Sequence, residues 1–281
     1  MRVAVASGKG GTGKTLVATN LATVLSAEER IALLDCDVEA PNAHLFLKPT
    51  LHESHEISKR VPVIDEARCS RCNVCVEACE FGALAFMAGH ALVFEALCHG
   101  CGRCGLVCPE DAISERDHPL GVIETGDVDG RFPFAHGRLH IGEAMASPII
   151  RALKQEAPER EWIILDAPPG TACPVISAIH GVDVVVLVTE PTPFGLHDLR
   201  AAVGVVRTLE IPAVAVINRD GVGDDGVERY CADEGLPVLL RIPFDRRIAE
   251  TGAAGQLLID ALPEWREPFV RLASDLREFA R

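Results

Sequence analysis

Residues 1–15 read MRVAVASGKGGTGKT. Val3 to Ala6 form a short apolar run, β-branched at Val3 and Val5, which reads as a buried strand. Gly8-Lys9-Gly10-Gly11-Thr12-Gly13-Lys14-Thr15 follows, and then Leu16, Val17, Leu21, Ala22 and Leu25 recur at helical spacing. Strand, glycine loop and helix in that order is the context of a phosphate-binding loop. The glycines let backbone N–H groups close around a β-phosphate, and the helix N-terminus adds positive potential. Lys14 is expected to reach the β- and γ-phosphates of ATP or the β-phosphate of ADP, and Thr15 to bind Mg²⁺. Lys9 is a second lysine for which that chemistry has no use.

Working outward, the next strand, Ile31 to Asp35, lies in LLDCDVEAPN. It sets Asp35 and Asp37 at a strand's C-terminal end, where open α/β sheets bind ligands. A later apolar run, Trp162 to Leu165, ends in Asp166 and then Ala167-Pro168-Pro169-Gly170. A strand ending in aspartate downstream of a phosphate loop places Asp166 near Mg²⁺. The alternative is an aspartate that caps the next helix.

These residues, with VVLVTEPT, VINRDG at 216–221 and IPFD at 242–245, resemble the MinD/ParA/nitrogenase-iron-protein superfamily with its deviant Walker A loop. That resemblance implies ATP sandwiched between two subunits, with Lys9 reaching the partner's phosphates much as an arginine finger does. It also implies Asp37 positioning the attacking water, Asn218 reading adenine, and Pro243 presenting backbone to the ring. The catalytic set expected is Lys9, Lys14 and Asp37.

Composition bounds the rest. The chain has 281 residues, 48% of them hydrophobic, and a formal net charge of −14. That length builds a sizeable core in one or two domains. The acidity argues against nucleic acid as partner, which requires a basic surface. No apolar run nears the ~18 residues of a membrane span, and no signal-peptide pattern precedes the first strand. A cytoplasmic protein is expected, so its eleven cysteines point to metal before disulfides.

Residues 69–79 read CSRCNVCVEAC and residues 98–108 read CHGCGRCGLVC. Both have C-x₂-C-x₂-C-x₃-C spacing, and the segments that follow match as well, so this is an internal repeat. It resembles the bacterial two-cluster ferredoxin, in which three cysteines of a run hold one cluster and the fourth holds the other. The resemblance implies two 4Fe–4S clusters: one on Cys69, Cys72, Cys75 and Cys108, the second on Cys98, Cys101, Cys104 and Cys79. Glu80 departs from it, standing where the second run has Pro109. Structural zinc is the alternative, but zinc sites pair C-x₂₋₄-C with a distant second pair. His99 reads as solvent-facing filler, Cys36 and Cys231 as packed thiols, and Cys173 as a packed or helix-start thiol.

The fold class expected is α/β: a mostly parallel P-loop sheet with helices on both faces, interrupted by a small α+β ferredoxin insert. The boundaries expected are 1–59 and 123–281 for a discontinuous ATPase domain and 60–122 for the insert, with 123–142 forming hairpins that return to the sheet. Strands at 182–188, 213–217 and 238–242 and helices at 147–156 and 196–209 continue the alternation. The last helix, from about Arg266 to Ala280, carries Phe269, Leu272, Leu276 and Phe279 on one face. Its balanced polar face predicts docking on the protein's own core rather than on a membrane.

The function expected is an iron–sulfur ATPase, slow or partner-stimulated, that dimerises on ATP with itself or a related ATPase. It would serve electron transfer to a redox partner or metallocluster assembly on a partner protein. The alternatives are an Mrp/ApbC-like cluster scaffold, which usually carries a C-terminal CxxC absent here, and a MinD-like spatial organiser.

Overall fold

The computed structural model describes residues 1–280. The chain begins β1 (Arg2–Ala6), α1 (Lys14–Leu25), β2 (Ile31–Asp35), α2 (Ala43–Leu47) and β3 (Thr50–Ile64). The cysteine-rich part holds α3 (Val74–Glu77), the hairpin β4 (Leu84–Met87) and β5 (His90–Val93), and α4 (Arg103–Leu106). The chain returns through β6 (Ile113–Val128), β7 (Phe132–Leu139), α5 (Ser147–Gln155), β8 (Trp162–Asp166) and α6 (Cys173–Ile179). It finishes with β9 (Val184–Thr189), α7 (Pro193–Thr208), β10 (Ala213–Asp220), α8 (Gly226–Asp233), β11 (Val238–Pro243), α9 (Arg246–Ala253), α10 (Leu258–Ala261) and α11 (Arg266–Phe279).

Nine strands form one sheet in the order β11-β10-β9-β1-β8-β2-β7-β6-β3. Pairing is parallel from β11 through β7 and antiparallel across β7-β6 and β6-β3. β2, β8 and β9 are buried along their whole length, as aliphatic strands covered on both faces must be. Neighbouring residues feed opposite layers. Val3, Val5, Leu33 and Ile164 pack under α1, α10 and α11. Ala4, Leu34, Leu165 and Val185 pack under α5, α6, α7 and α8. This is the mostly parallel, doubly covered sheet expected.

The antiparallel edge differs from the expectation in extent. In the sequence Val61–Ile64 is strand-like, but Thr50–Lys59 is mostly polar and shows no apolar alternation. In the structure β3 is 15 residues long and pairs with β6 from Thr50↔Asp127 to Ile64↔Ile113. One ribbon thus belongs to the main sheet at one end and carries the cysteine-rich part, 65–112, at the other. That part has a minimal core of Val61, Ala83 and Cys98.

α11 docks on α1 and the adjoining core, with Phe269, Leu272 and Leu276 fully buried. Phe279, grouped with them by periodicity, is the last helical residue and stays 38% exposed. Among the described residues no helix is long and apolar enough to cross a membrane.

Candidate nucleotide and cluster sites

The C-terminal ends of the parallel strands gather the nucleotide residues along one edge. β1 runs into the glycine loop, Asp35 pairs in register with Asp166, and Asn218 pairs with Ile242 next to Pro243. Gly13 leads into α1 with φ 98, a left-handed conformation that favours glycine. A Cβ there would also lie 2.3 Å from Asn218 Nδ2. That amide donates to the Thr12 carbonyl at 2.7 Å, so Asn218 clamps the loop in this state.

Lys14 is buried beside the acids. The Asp35 carboxylate accepts from the backbone N–H groups of Asp37 (3.1 Å), Asn42 (2.9 Å) and Ala43 (2.9 Å). Burial still outweighs those bonds and pushes its carboxyl up to about 7. Burial likewise raises Asp37, against the opposing pull of Lys14. Asp166 is the extreme case. Burial and then the neighbouring Asp35 hold it well above the usual carboxylate range. Both its oxygens are buried without a hydrogen-bond partner among the described residues. The nearby Thr15 hydroxyl gives its hydrogen to Asn42 Oδ1 at 2.7 Å instead. A buried carboxylate left unpaired beside a threonine hydroxyl is a donor set suited to a divalent cation.

Lys9 lies on the rim. Its Nζ is 3.3 Å from Glu190 Oε2, while Arg219 holds the other oxygen of Glu190 at 2.8 Å. Neither Glu190, Arg219 nor Asn42 was singled out from the sequence. The stretches containing them were; Glu190 and Arg219 are charged residues at the C-terminal ends of strands, whereas Asn42 is a neutral residue just before α2.

The cysteines form two groups. Cys69, Cys72, Cys75 and Cys108 line one small cavity, with Ile64, Phe86, Pro109, Glu110 and Ile113 among its walls. Cys79, Cys98, Cys101 and Cys104 line another, with Arg60, Pro62, Phe81, Arg103 and Glu115. Each run therefore gives three residues to one cavity and one to the other. Among the described residues, no three His, Cys, Asp or Glu side chains converge closely enough for one metal ion. His99 does more than fill space: its ring stacks on Phe81, centroids 3.8 Å apart and 8° from parallel. Glu80 pairs with Arg103. Cys36 and Cys231 are buried, and Cys173 is exposed at the first residue of α6.

The sequence matches the CobQ/CobB/MinD/ParA nucleotide binding domain over residues 3–259. The chain belongs to that family. Two uncharacterized proteins of Methanocaldococcus jannaschii are family relatives of similar length. One is 33% identical over 91% of this chain and 90% of its own length, the other 32% over 99% and 97%. An iron-sulfur cluster carrier protein of Pyrococcus horikoshii is 26% identical over 90% of this chain and 77% of its own. Among solved structures, the septum site-determining protein MinD of Pyrococcus horikoshii, complexed with Mg-ADP, superposes with a TM-score of 0.62 at 18% identity. It covers 99% of this chain and 96% of that one. The Pyrococcus furiosus cell division ATPase MinD gives 0.60 at 20%, covering 99% and 98%. At those identities the shared feature is the family's fold.

Proposed function

We propose that this protein is a cytoplasmic ATP-binding and ATP-hydrolysing iron–sulfur protein, coupling ATP-driven dimerisation to electron transfer or metallocluster assembly on a partner protein. The observation that carries this reading is the sorting of the cysteines of two runs into two four-sulfur cavities on a phosphate-loop protein. The residues fit the groups they would hold. Thr15 and the partnerless Asp166 suit Mg²⁺, which would offset phosphate charge. The four-cysteine sets suit 4Fe–4S clusters, each supplying one-electron chemistry.

In this reading Lys14 neutralises phosphate charge within the subunit, and Gly8 to Thr15 supply the cradle of N–H groups. Asp37 orients water. Asn218 and Pro243 border the base. Lys9 leaves Glu190 to meet the partner subunit's nucleotide. The partner subunit is a second copy or a related ATPase; that one organism holds two relatives fits either. A second reading, a carrier that hands its cluster on, draws on the relatives named iron-sulfur cluster carrier proteins.

Anaerobic purification tests both. About eight iron and eight acid-labile sulfide per chain are expected from two cubanes on Cys₄ sets. Near-stoichiometric zinc with no visible charge-transfer absorption would end the reading. Incubation with an apo-ferredoxin separates the two: resident clusters stay on this chain, whereas a carrier loses iron to the acceptor.

A further inference from the structure

The two cysteine sets are alike in sequence, and the structure gives them different surroundings. Each contains one exposed, one buried and two partly buried cysteines, so exposure does not distinguish them. Charge does. The cavity of Cys79, Cys98, Cys101 and Cys104 is walled by Arg60, Arg103 and Glu115, while two further acids that pair with those arginines, Asp117 with Arg60 and Glu80 with Arg103, are not among its walls. The cavity of Cys69, Cys72, Cys75 and Cys108 has Glu110 as its one charged wall residue. Backbone N–H groups reach sulfur in both sets. Ala83 N–H reaches Cys79 Sγ at 3.3 Å and Gly100 N–H reaches Cys98 Sγ at 3.4 Å. In the other set Ala112 N–H reaches Cys108 Sγ at 3.3 Å.

The sets also differ in position. Ile64 and Ile113, the last pair of the ribbon, wall the first set, which therefore lies at the tip. Arg60, Pro62 and Glu115 wall the second, nearer the nucleotide domain. The segment just before Cys98 is tied to that domain. His118 lies 2.7 Å from Glu95 Oε2 and 2.8 Å from Glu143 Oε1, and Lys59 Nζ donates to the Glu95 carbonyl at 2.8 Å.

Net charge and hydrogen bonds to sulfur are among the levers that set cluster potential. Reduction adds one negative charge, which cations and N–H donors stabilise. Resting on the cluster reading above, we infer that the body-side cluster has the higher reduction potential and that Arg103, restrained by Glu80, sets part of the gap. With both clusters bound, an electron supplied by an external low-potential donor would rest on the set walled by Arg60 and Arg103. Glu80, standing where the first run lacks a proline, is the counter-charge that moderates Arg103.

The test is an anaerobic dithionite titration of the full chain carrying both clusters, followed by electron paramagnetic resonance. Two midpoints are expected. Arg103→Gln should lower the upper one by a three- to tenfold change in equilibrium, roughly 28–59 mV at about 59 mV per tenfold. Glu80→Gln should raise that same component, and Glu110→Gln should raise the lower one, all with iron content unchanged. A single midpoint for both clusters, or an Arg103→Gln shift confined to the lower component, overturns the inference while the cluster reading stands. A protein that binds no iron and sulfide refutes both.

Discussion

At the residue scale, the two lysines of the phosphate loop occupy different environments, and their variants should separate. Lys14 is buried against the acids, whereas Lys9 is held at the rim by Glu190. Lys14→Ala is expected to weaken ATP binding by at least about tenfold, or about 1.4 kcal/mol. Lys9→Ala should leave affinity nearly unchanged and abolish ATP-dependent dimerisation, followed by analytical ultracentrifugation. Glu190→Gln frees Lys9 and should let the dimer form at lower protein concentration; equal loss of binding in both lysine variants would remove the cross-subunit role. The acids give a pH prediction. The fold holds Asp35 up at about 7 and Asp166 well up too, above unfolded values near 3.9. The protonated forms are the ones the fold favours. Their contribution to stability is full below about pH 4 and is lost as pH rises through about 7. Melts of the nucleotide-free protein in chelator should therefore fall between pH 5 and 8, and Asp166→Asn should flatten that fall. A fall of equal size in Asp166→Asn would detach it from this carboxylate. The sequence made these acids visible because aspartate after an apolar strand is a local pattern. Glu190 was not legible, since its meaning lies in a contact with Lys9 and Arg219, both remote in the chain.

At the element scale, the buried strands and α1 were readable because each carries its own hydrophobic run. β3 was not. Its first seven residues are exposed, so nothing in their pattern marks a strand, and the pairing with β6 alone imposes it. α11 lies between these cases. Its apolar period showed a face, and the charge balance of its other face pointed toward the protein's own core. Leu272 is fully buried in that contact, so Leu272→Ala should cost about 2–5 kcal/mol, read from chemical denaturation. A cost below about 0.5 kcal/mol, the size of a surface change, would mean the helix end is not docked in solution.

At the scale of the whole molecule, the cysteine-rich part begins and ends at cross-strand partners. Replacing residues 65–112 with Asn-Gly between Ile64 and Ile113 would close the ribbon as a two-residue hairpin. The shortened chain should fold, bind no iron, and bind ATP with affinity within about threefold of the parent, roughly 0.7 kcal/mol, by calorimetry. Failure to bind ATP would mean the two parts are not separable. The ribbon itself has a mechanical consequence. A two-stranded antiparallel strip keeps its length because each extended backbone is already near its covalent limit, but it twists more readily than a wide sheet. The part of β3 that pairs with β6 beyond the reach of β7, residues 58–64, spans about 23 Å at about 3.3 Å per residue. As a torsion bar it would answer a strain applied where it joins the main sheet by turning its far end about the long axis rather than drawing it closer. We predict that paired spin labels along the strip keep their separation when nucleotide binds, while a label at the tip reorients against the main sheet. A changed separation would mean that the strip bends or stretches. A partner gripping that far end would then sense the nucleotide by the direction it faces, as a compass needle is read by its bearing.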